Sequence, residues 1–383
     1  MHRLLARRNA VLGMVNLAVV LVLLAAAVSC GGAAAPSGGA TPAGGAAAPA
    51  APAKVVTIRY ATYTPPNYWA IKAEEWWAKE VERRSGGKVT FEFFHSESLL
   101  KATDILPGVG KGLADMGWAA SGYYSALLPL TGGTELPYQV VAPDTKMRAL
   151  NELYSTFPPF RDEWDAHNVK VVHFSAIGPT ILHSKMSIGS LEDLKGKRIR
   201  GMGMSNKALE MLGAVPVALA APEMYTALER GTIDGYAGIP FDSISALKFQ
   251  EVAKYLTDPG LGQFVTPGIV MNRDLYNSLP EDVKKVMEEV NAEYPNQFYQ
   301  TLVAQEDTDA PMLRQAGVKF AALSPQESQR WRSVVVPALW DKWVAETDAK
   351  GLPGKELVDR YTKLIEKYKG QSKYVTAVER FAK

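Results

Sequence analysis

Two arginines, Arg198 and Arg200, hold the most readable chemistry in this chain. They sit in Ser190–Gly201, SLEDLKGKRIRG, where Ser190 can cap a helical turn with Asp193 three residues on, and Gly196 ends it. Lys197 to Arg200 then reads as a strand. Alternation puts Arg198 and Arg200 on one face and Ile199 on the other. Gly201 marks the carboxyl end of that strand, the place where open α/β sheets bind ligands. An arginine there can hold a carboxylate through two parallel, charge-assisted hydrogen bonds. Its permanent charge makes burial costly until an anion arrives. On spacing alone, a surface arginine paired with a nearby acid fits the same residues.

Other chemistry is poorly supplied. The chain has no phosphate-binding P-loop, no G-x-S-x-G elbow and no H-E-x-x-H. His95, His167, His173 and His183 are scattered, and single histidines more often pack than act as base or ligand. An exported enzyme using a histidine near the cleft remains a rival reading, which turnover of a carboxylic acid would reveal. No catalytic residue, metal site or cofactor is expected.

Cys30, the single cysteine, allows neither an intramolecular disulfide nor a cysteine zinc site. It follows a basic start (Arg3, Arg7, Arg8) and an apolar run from Val11 to Val28, the layout of an export signal. Ala27-Val28-Ser29-Cys30 resembles a bacterial lipobox, with Ala27 where leucine is usual. The expectation is a signal over 1–29, lipidation of Cys30, and placement in the periplasm or on the outer face of the cytoplasmic membrane. An uncleaved membrane anchor and an ordinary cleaved signal are the alternatives. Residues 30–53 are Gly/Ala/Pro filler, expected to be a disordered spacer that lifts the folded body off the membrane.

Removing the three signal arginines leaves 39 bases against 40 acids, a net charge of −1. That balance gives no reason to expect a nucleic acid partner. The remainder is long enough for two lobes of ordinary domain size.

From Val55 the pattern alternates strand and helix. VVTIRYATY is a β-branched run, Trp69 to Arg84 reads as a helix stopped by Gly86-Gly87, and KVTFEFF is a second strand. Such alternation predicts mostly parallel sheets covered by helices. An internal echo supports two similarly built lobes: strand, loop, helix, then Gly112-Leu113-Ala114-Asp115, and later Gly231-Thr232-Ile233-Asp234, each leading into a strand. The C-terminal third is more helical. A stretch from Pro280 runs past Pro295 towards Gln305, and helices are expected around Pro325–Glu346 and Gly354–Lys369. Trp331, Trp340 and Trp343 are expected to be core.

Five segments taken together, GGKVTFEFFHSESLL, GKGLADMGWAASGYY, EDLKGKRIRG, MLGAVPVALAAPEMYTALERGTIDGYAG and KFQEVAKYL, carry a family likeness. From Val55 to about residue 350 the chain resembles the solute-binding proteins of tripartite ATP-independent periplasmic (TRAP) transporters. The resemblance implies a periplasmic binding protein-like α/β fold. Its two lobes are joined by hinge strands, carry a long C-terminal helix, close on a ligand like a hinged shell and have no catalytic activity. It implies lobe I at 54–176 plus about 264–305, and lobe II at 177–263 plus about 306–383. It implies Arg200 as the ligand-carboxylate clamp, with Arg198 structural. Partners follow: a small organic acid, integral-membrane permease subunits, and the membrane through a lipid anchor.

Departures shape the expected ligand. Gly178-Pro179-Thr180 stands where many relatives have a second arginine, Tyr236-Ala237-Gly238 where polar side chains are common, and Ala221 where a bulky aromatic is frequent. Ala119 and Ala120 stand where some relatives place an acid. The pocket is expected to be less polar than a sugar-acid site. Trp118, Tyr236, Phe241 and Tyr63 would form its aromatic walls, with Met202 beside the clamp. A monocarboxylate with an apolar or aromatic body, or a small keto or hydroxy acid, fits that pocket; a small dicarboxylate is still possible. An extracytoplasmic sensor, or the binding protein of an ATP-driven importer, would use the same fold.

Overall fold

The computed structural model describes residues 55–382. The expected signal, Cys30 and the spacer lie outside these residues. Eleven strands follow in chain order: β1 Val56–Ala61, β2 Val89–Phe94, β3 Met116–Ala120, β4 Val169–Phe174, β5 Thr180–Ser184, β6 Arg198–Gly201, β7 Val215–Ala218, β8 Gly235–Pro240, β9 Tyr255–Asp258, β10 Pro267–Asn272 and β11 Lys319–Ala322. They form two sheets, ordered β2-β1-β3-β10-β4 and β11-β9-β5-β8-β6-β7. Each sheet with its covering helices makes one lobe.

The sheets are mixed, where mostly parallel ones were predicted. β1 pairs with β2 and β3 in parallel, and β6 with β7 and β8. The exceptions are the strands at the two crossings between sheets. β10 runs antiparallel to β3 and β4, and β5 antiparallel to β8 and β9. A parallel neighbour needs a helical crossover. The chain instead passes directly from β4 to β5 and from β9 to β10, through short stretches without a helix.

The internal echo is built in detail. Asp115, just before β3, accepts from the Arg59 backbone N–H at 2.9 Å and its Nε at 2.8 Å. Asp234, just before β8, accepts from the Arg198 backbone N–H at 2.8 Å and its Nε at 3.1 Å. The clasp fixes β1 to β3 in the first lobe and β6 to β8 in the second, so the strand-entry aspartate sets where the neighbouring strand exits.

The helix Trp69–Arg84 packs on the long helix Glu281–Gln315, which runs unbroken past Pro295 and Pro311. Trp69 meets Phe298 edge-on at 4.8 Å, and Trp77 Nε1 donates to Asn291 at 2.7 Å. Trp331 and Trp343, on the helix Pro325–Asp348, are core residues as expected. Trp340 is half-buried and donates to the Pro137 carbonyl at 3.1 Å. The helix Gly354–Lys369 lies chiefly on the helix Pro143–Thr156 beside the first sheet.

The return crossing is braced from the first lobe. Lys146 donates to the Val265 carbonyl at 2.8 Å, and Glu135 accepts from the Thr266 N–H at 2.9 Å. Both side chains are buried. Burial pushes the Glu135 carboxyl up and the Lys146 ammonium down, and each partner's charge opposes the other's shift.

Candidate functional site

Ser190 caps the turn before β6 as read from sequence, accepting from the Asp193 N–H at 3.2 Å. β6 then delivers Arg198 to the surface and Arg200 to the interior. Arg200 is 0 % exposed. Its Nε donates to the Leu219 carbonyl at 3.0 Å, and its Nη2 lies 3.5 Å from the Met202 sulfur. Nη1 is buried with no partner among the described residues. Burial lowers the guanidinium pKa, and its nearest electrostatic neighbours are the phenols of Tyr123, Tyr63 and Tyr236. No carboxylate among the described residues pairs with it. A buried permanent cation set among tyrosines and a thioether is poorly compensated in the protein itself.

The surroundings come from both lobes. Tyr63, after β1, stacks on Trp118 of β3 at 5.7 Å with rings 3° from parallel. Trp118 is buried, and its Nε1 has no partner among the described residues. Tyr123, in the 3-10 turn after β3, meets the Tyr63 ring edge-on at 5.7 Å, and its hydroxyl accepts from the Ala221 N–H of the second lobe at 3.0 Å. Gly122 allows the close approach: a Cβ there would lie 2.7 Å from Met202 Cε.

Tyr236 pairs in register with Arg200 across β6 and β8. Its hydroxyl is already engaged, 2.8 Å from His183 Nδ1. His183 Nε2 faces the Ala253 carbonyl at 3.1 Å, which assigns the ring proton to Nε2 and makes Nδ1 the acceptor. Burial drives the His183 pKa down to about 3, so the ring is neutral. Tyr236 therefore offers Arg200 its ring rather than its hydroxyl.

The structure thus brings Arg200, Met202, Tyr63, Trp118 and Tyr236 together. Phe241 does not join them; it packs in the second-lobe core against Phe320 at 5.4 Å and Phe381 at 6.4 Å. Phe241 comes after the end of β8 and belongs to the second lobe's core cluster. Sequence reading missed Tyr123, because one aromatic in a turn has no periodicity to mark it.

Beside Tyr63 lies a cavity of about 180 Å³, lined by Tyr63, Pro65, Tyr68, Ala221, Ile239 and Leu247, with Thr64, Ser96, Glu97 and Pro222 completing it. The small side chain of Ala221 helps leave it open. A second bridge closes the far side of the cleft. Tyr68 Oη lies 2.8 Å from Ser243 Oγ, Ser243 donates to Asp242 at 2.9 Å, and Trp69 Nε1 donates to the same carboxyl oxygen. Asp242 is buried, its other oxygen has no partner among the described residues, and burial raises its pKa to about 7.

Two lobes closed over a buried, unmatched guanidinium have the geometry of a ligand-binding shell. Comparison with known proteins agrees. Residues 60–347 match the family model DctP, bacterial extracellular solute-binding protein, family 7. A solute-binding protein of Albidiferax ferrireducens is 27% identical over 290 residues, covering 71% of this chain and 80% of that one. A TRAP solute-binding protein of Rhodoferax ferrireducens, solved with copurified benzoate, has the same fold, with a TM-score of 0.76 at 24% identity over 83% of this chain and 99% of that one. A marine metagenome TRAP solute-binding protein specific for aromatic acid ligands, solved with metahydroxyphenylacetate, gives a TM-score of 0.74 at 26% identity, over 82% of this chain and 99% of that one. The chain belongs to the family 7 extracellular solute-binding proteins. It is a TRAP-type binding protein of the periplasm, from a family of transport proteins rather than enzymes, and it works with a TRAP permease.

Proposed function

We propose that the protein captures a monocarboxylate with an apolar or single-ring aromatic body, clamps the carboxylate on Arg200 and delivers the solute to its permease. The observation that carries this reading is the buried Arg200 guanidinium, with Nη1 unpartnered and no carboxylate beside it. Met202, Tyr63, Trp118 and the Tyr236 ring surround the clamp. The adjoining 180 Å³ cavity suits an apolar body, since an engineered apolar cavity of about 150 Å³ is roomy enough for benzene. The marine relative specific for aromatic acids supports the same class.

In the open form Arg200 meets the anion first. Contacts to the first lobe form only on closure, so the ligand shifts the population towards the closed state. Phe241 supports the shell from behind. The sheets support division of the lobes at 176/177 and about 263/264. The helix Gly354–Lys369, packed beside the first sheet, leads us to assign the C-terminal stretch to both lobes. We further propose that Cys30 carries the lipid anchor. Palmitate labelling should be lost in Cys30→Ala; unchanged labelling would exclude this residue.

Titration calorimetry with benzoate tests the site. Arg200→Ala should cost about 2–5 kcal/mol of affinity, because the bound carboxylate loses its buried partner. Wild-type affinity in that variant would remove Arg200 from the role. If benzoate fails, a thermal-shift screen of carboxylic acids finds the solute, since ligand at 100 times its Kd adds about 2.7 kcal/mol of stability.

A further inference from the structure

Among the described residues, Tyr123 is the phenol of the cleft whose hydroxyl oxygen receives a backbone donor from the second lobe. The Ala221 N–H donates to it at 3.0 Å, and the positive charge of the Arg200 guanidinium acts on it. A phenol oxygen accepts through its lone pairs and donates through one proton. With the Ala221 amide on its accepting side, the proton is left over. Neither the Ala221 amide nor the guanidinium can accept it, and no other hydrogen-bond partner of this hydroxyl stands among the described residues. The neighbouring phenols differ. Tyr236 spends its proton on His183, and Tyr68 reaches Ser243.

What satisfies both a guanidinium with a free Nη1 and a phenol with a free proton is one anion with two oxygens. We propose that Tyr123 is a second carboxylate-binding residue, donating its hydroxyl proton to one ligand oxygen while Arg200 holds the other. This rests on Arg200 being the clamp and adds that the first lobe also grips the anion.

The consequence concerns closure. Tyr123 belongs to the first lobe, in the turn that follows β3, and reaches the anion only when that turn lies on Ala221 and Met202. The carboxylate group, and not only the organic body, therefore carries information between the lobes. A ligand bound to Arg200 alone is held in an open shell; one that also takes the Tyr123 proton is held in a closed one.

Wild type, Arg200→Ala and Tyr123→Phe, each titrated with benzoate labelled at its carboxyl carbon, provide the test. Tyr123→Phe keeps the ring on Tyr63 and deletes only the hydroxyl. Its association rate should match wild type, its dissociation rate should rise at least tenfold, and the contraction seen by small-angle scattering on adding benzoate should shrink. The bound carboxyl resonance in carbon NMR should also move relative to wild type, which loss of the Ala221 bond alone would not cause. Equal dissociation rates, or faster dissociation with an unmoved resonance, overturns the proposal and leaves the Arg200 reading intact. Arg200→Ala that retains benzoate as tightly as wild type overturns both.

Discussion

The two lobes treat buried charge in opposite ways. In the first, Glu135 sits with Lys146, and Glu74 meets His173 at 3.2 Å and Tyr294. In the second, Arg200 and Asp242 each keep a buried atom without a partner. The backbone frame beneath them is the same. Arg59–Asp115 and Arg198–Asp234 are equivalent clasps at equivalent strands. Two residues beyond the clasp arginine, however, the first lobe has Ala61 and the second Arg200, both fully buried. One architecture thus carries a first lobe whose buried carboxylates meet partners in the protein and a second whose buried guanidinium meets no carboxylate among the described residues.

Breaking the contrast at its centre should have the largest effect. Arg200→Leu should abolish carboxylate binding yet leave the ligand-free protein as stable as wild type or more so, since an unmatched buried cation disappears. A lower Tm without ligand would show that Arg200 is a structural residue after all.

Asp242 should have the next largest effect. Burial holds its pKa at about 7, against 3.8 in the unfolded chain, with Glu306 and Asp309 raised nearby to about 8 and about 6. A raised acid pKa means stability that is complete below the unfolded value and is lost as pH climbs through about 7. Asp242→Asn keeps an oxygen for Trp69 and cannot ionise. Its Tm advantage should be greatest near pH 8 and fade towards pH 4; parallel melting curves across that range would refute the assignment.

The clasps should give the smallest effect, and they sharpen the comparison. Both aspartates have pKa values lowered chiefly through hydrogen bonds from their arginines, against opposing burial. Their contribution is therefore present at neutral pH and fades as the solution is acidified below about 4. Asp115→Asn and Asp234→Asn should both lower Tm modestly, but only Asp234→Asn should also weaken ligand binding, because β6 carries Arg200. Equal effects on binding would mean that the clasp does not position the clamp.

Much of this was legible where local rules govern. The Ser190 cap, the Gly-x-x-Asp echo and the helices at 69–84, 325–348 and 354–369 follow from capping, turn and amphipathic patterns. The buried guanidinium was legible through motif likeness, since strand alternation alone gave Arg198 and Arg200 the same standing. Contacts made by distant residues were not legible. Trp69 and Asp242 are 173 positions apart, Tyr123 and Ala221 are 98 apart, and neither pair has a sequence signal. Phe241 shows the same limit, because its ring partners Phe320 and Phe381 lie 79 and 140 positions away.

The helix Glu281–Gln315 has a mechanical consequence. At 35 residues it is about 52 Å long. Val283 to Leu302 anchor it in the first lobe's interior, while Ala310 and Leu313 are embedded in the second's. A rotation of the lobes about an axis across the helix would bend it or unseat one end. The stretch between Leu302 and Ala310, which joins the two seated ends, is where closure would load it. The stiffness of this one rod would set both the resting aperture of the shell and the work a docking permease must do to pry it open.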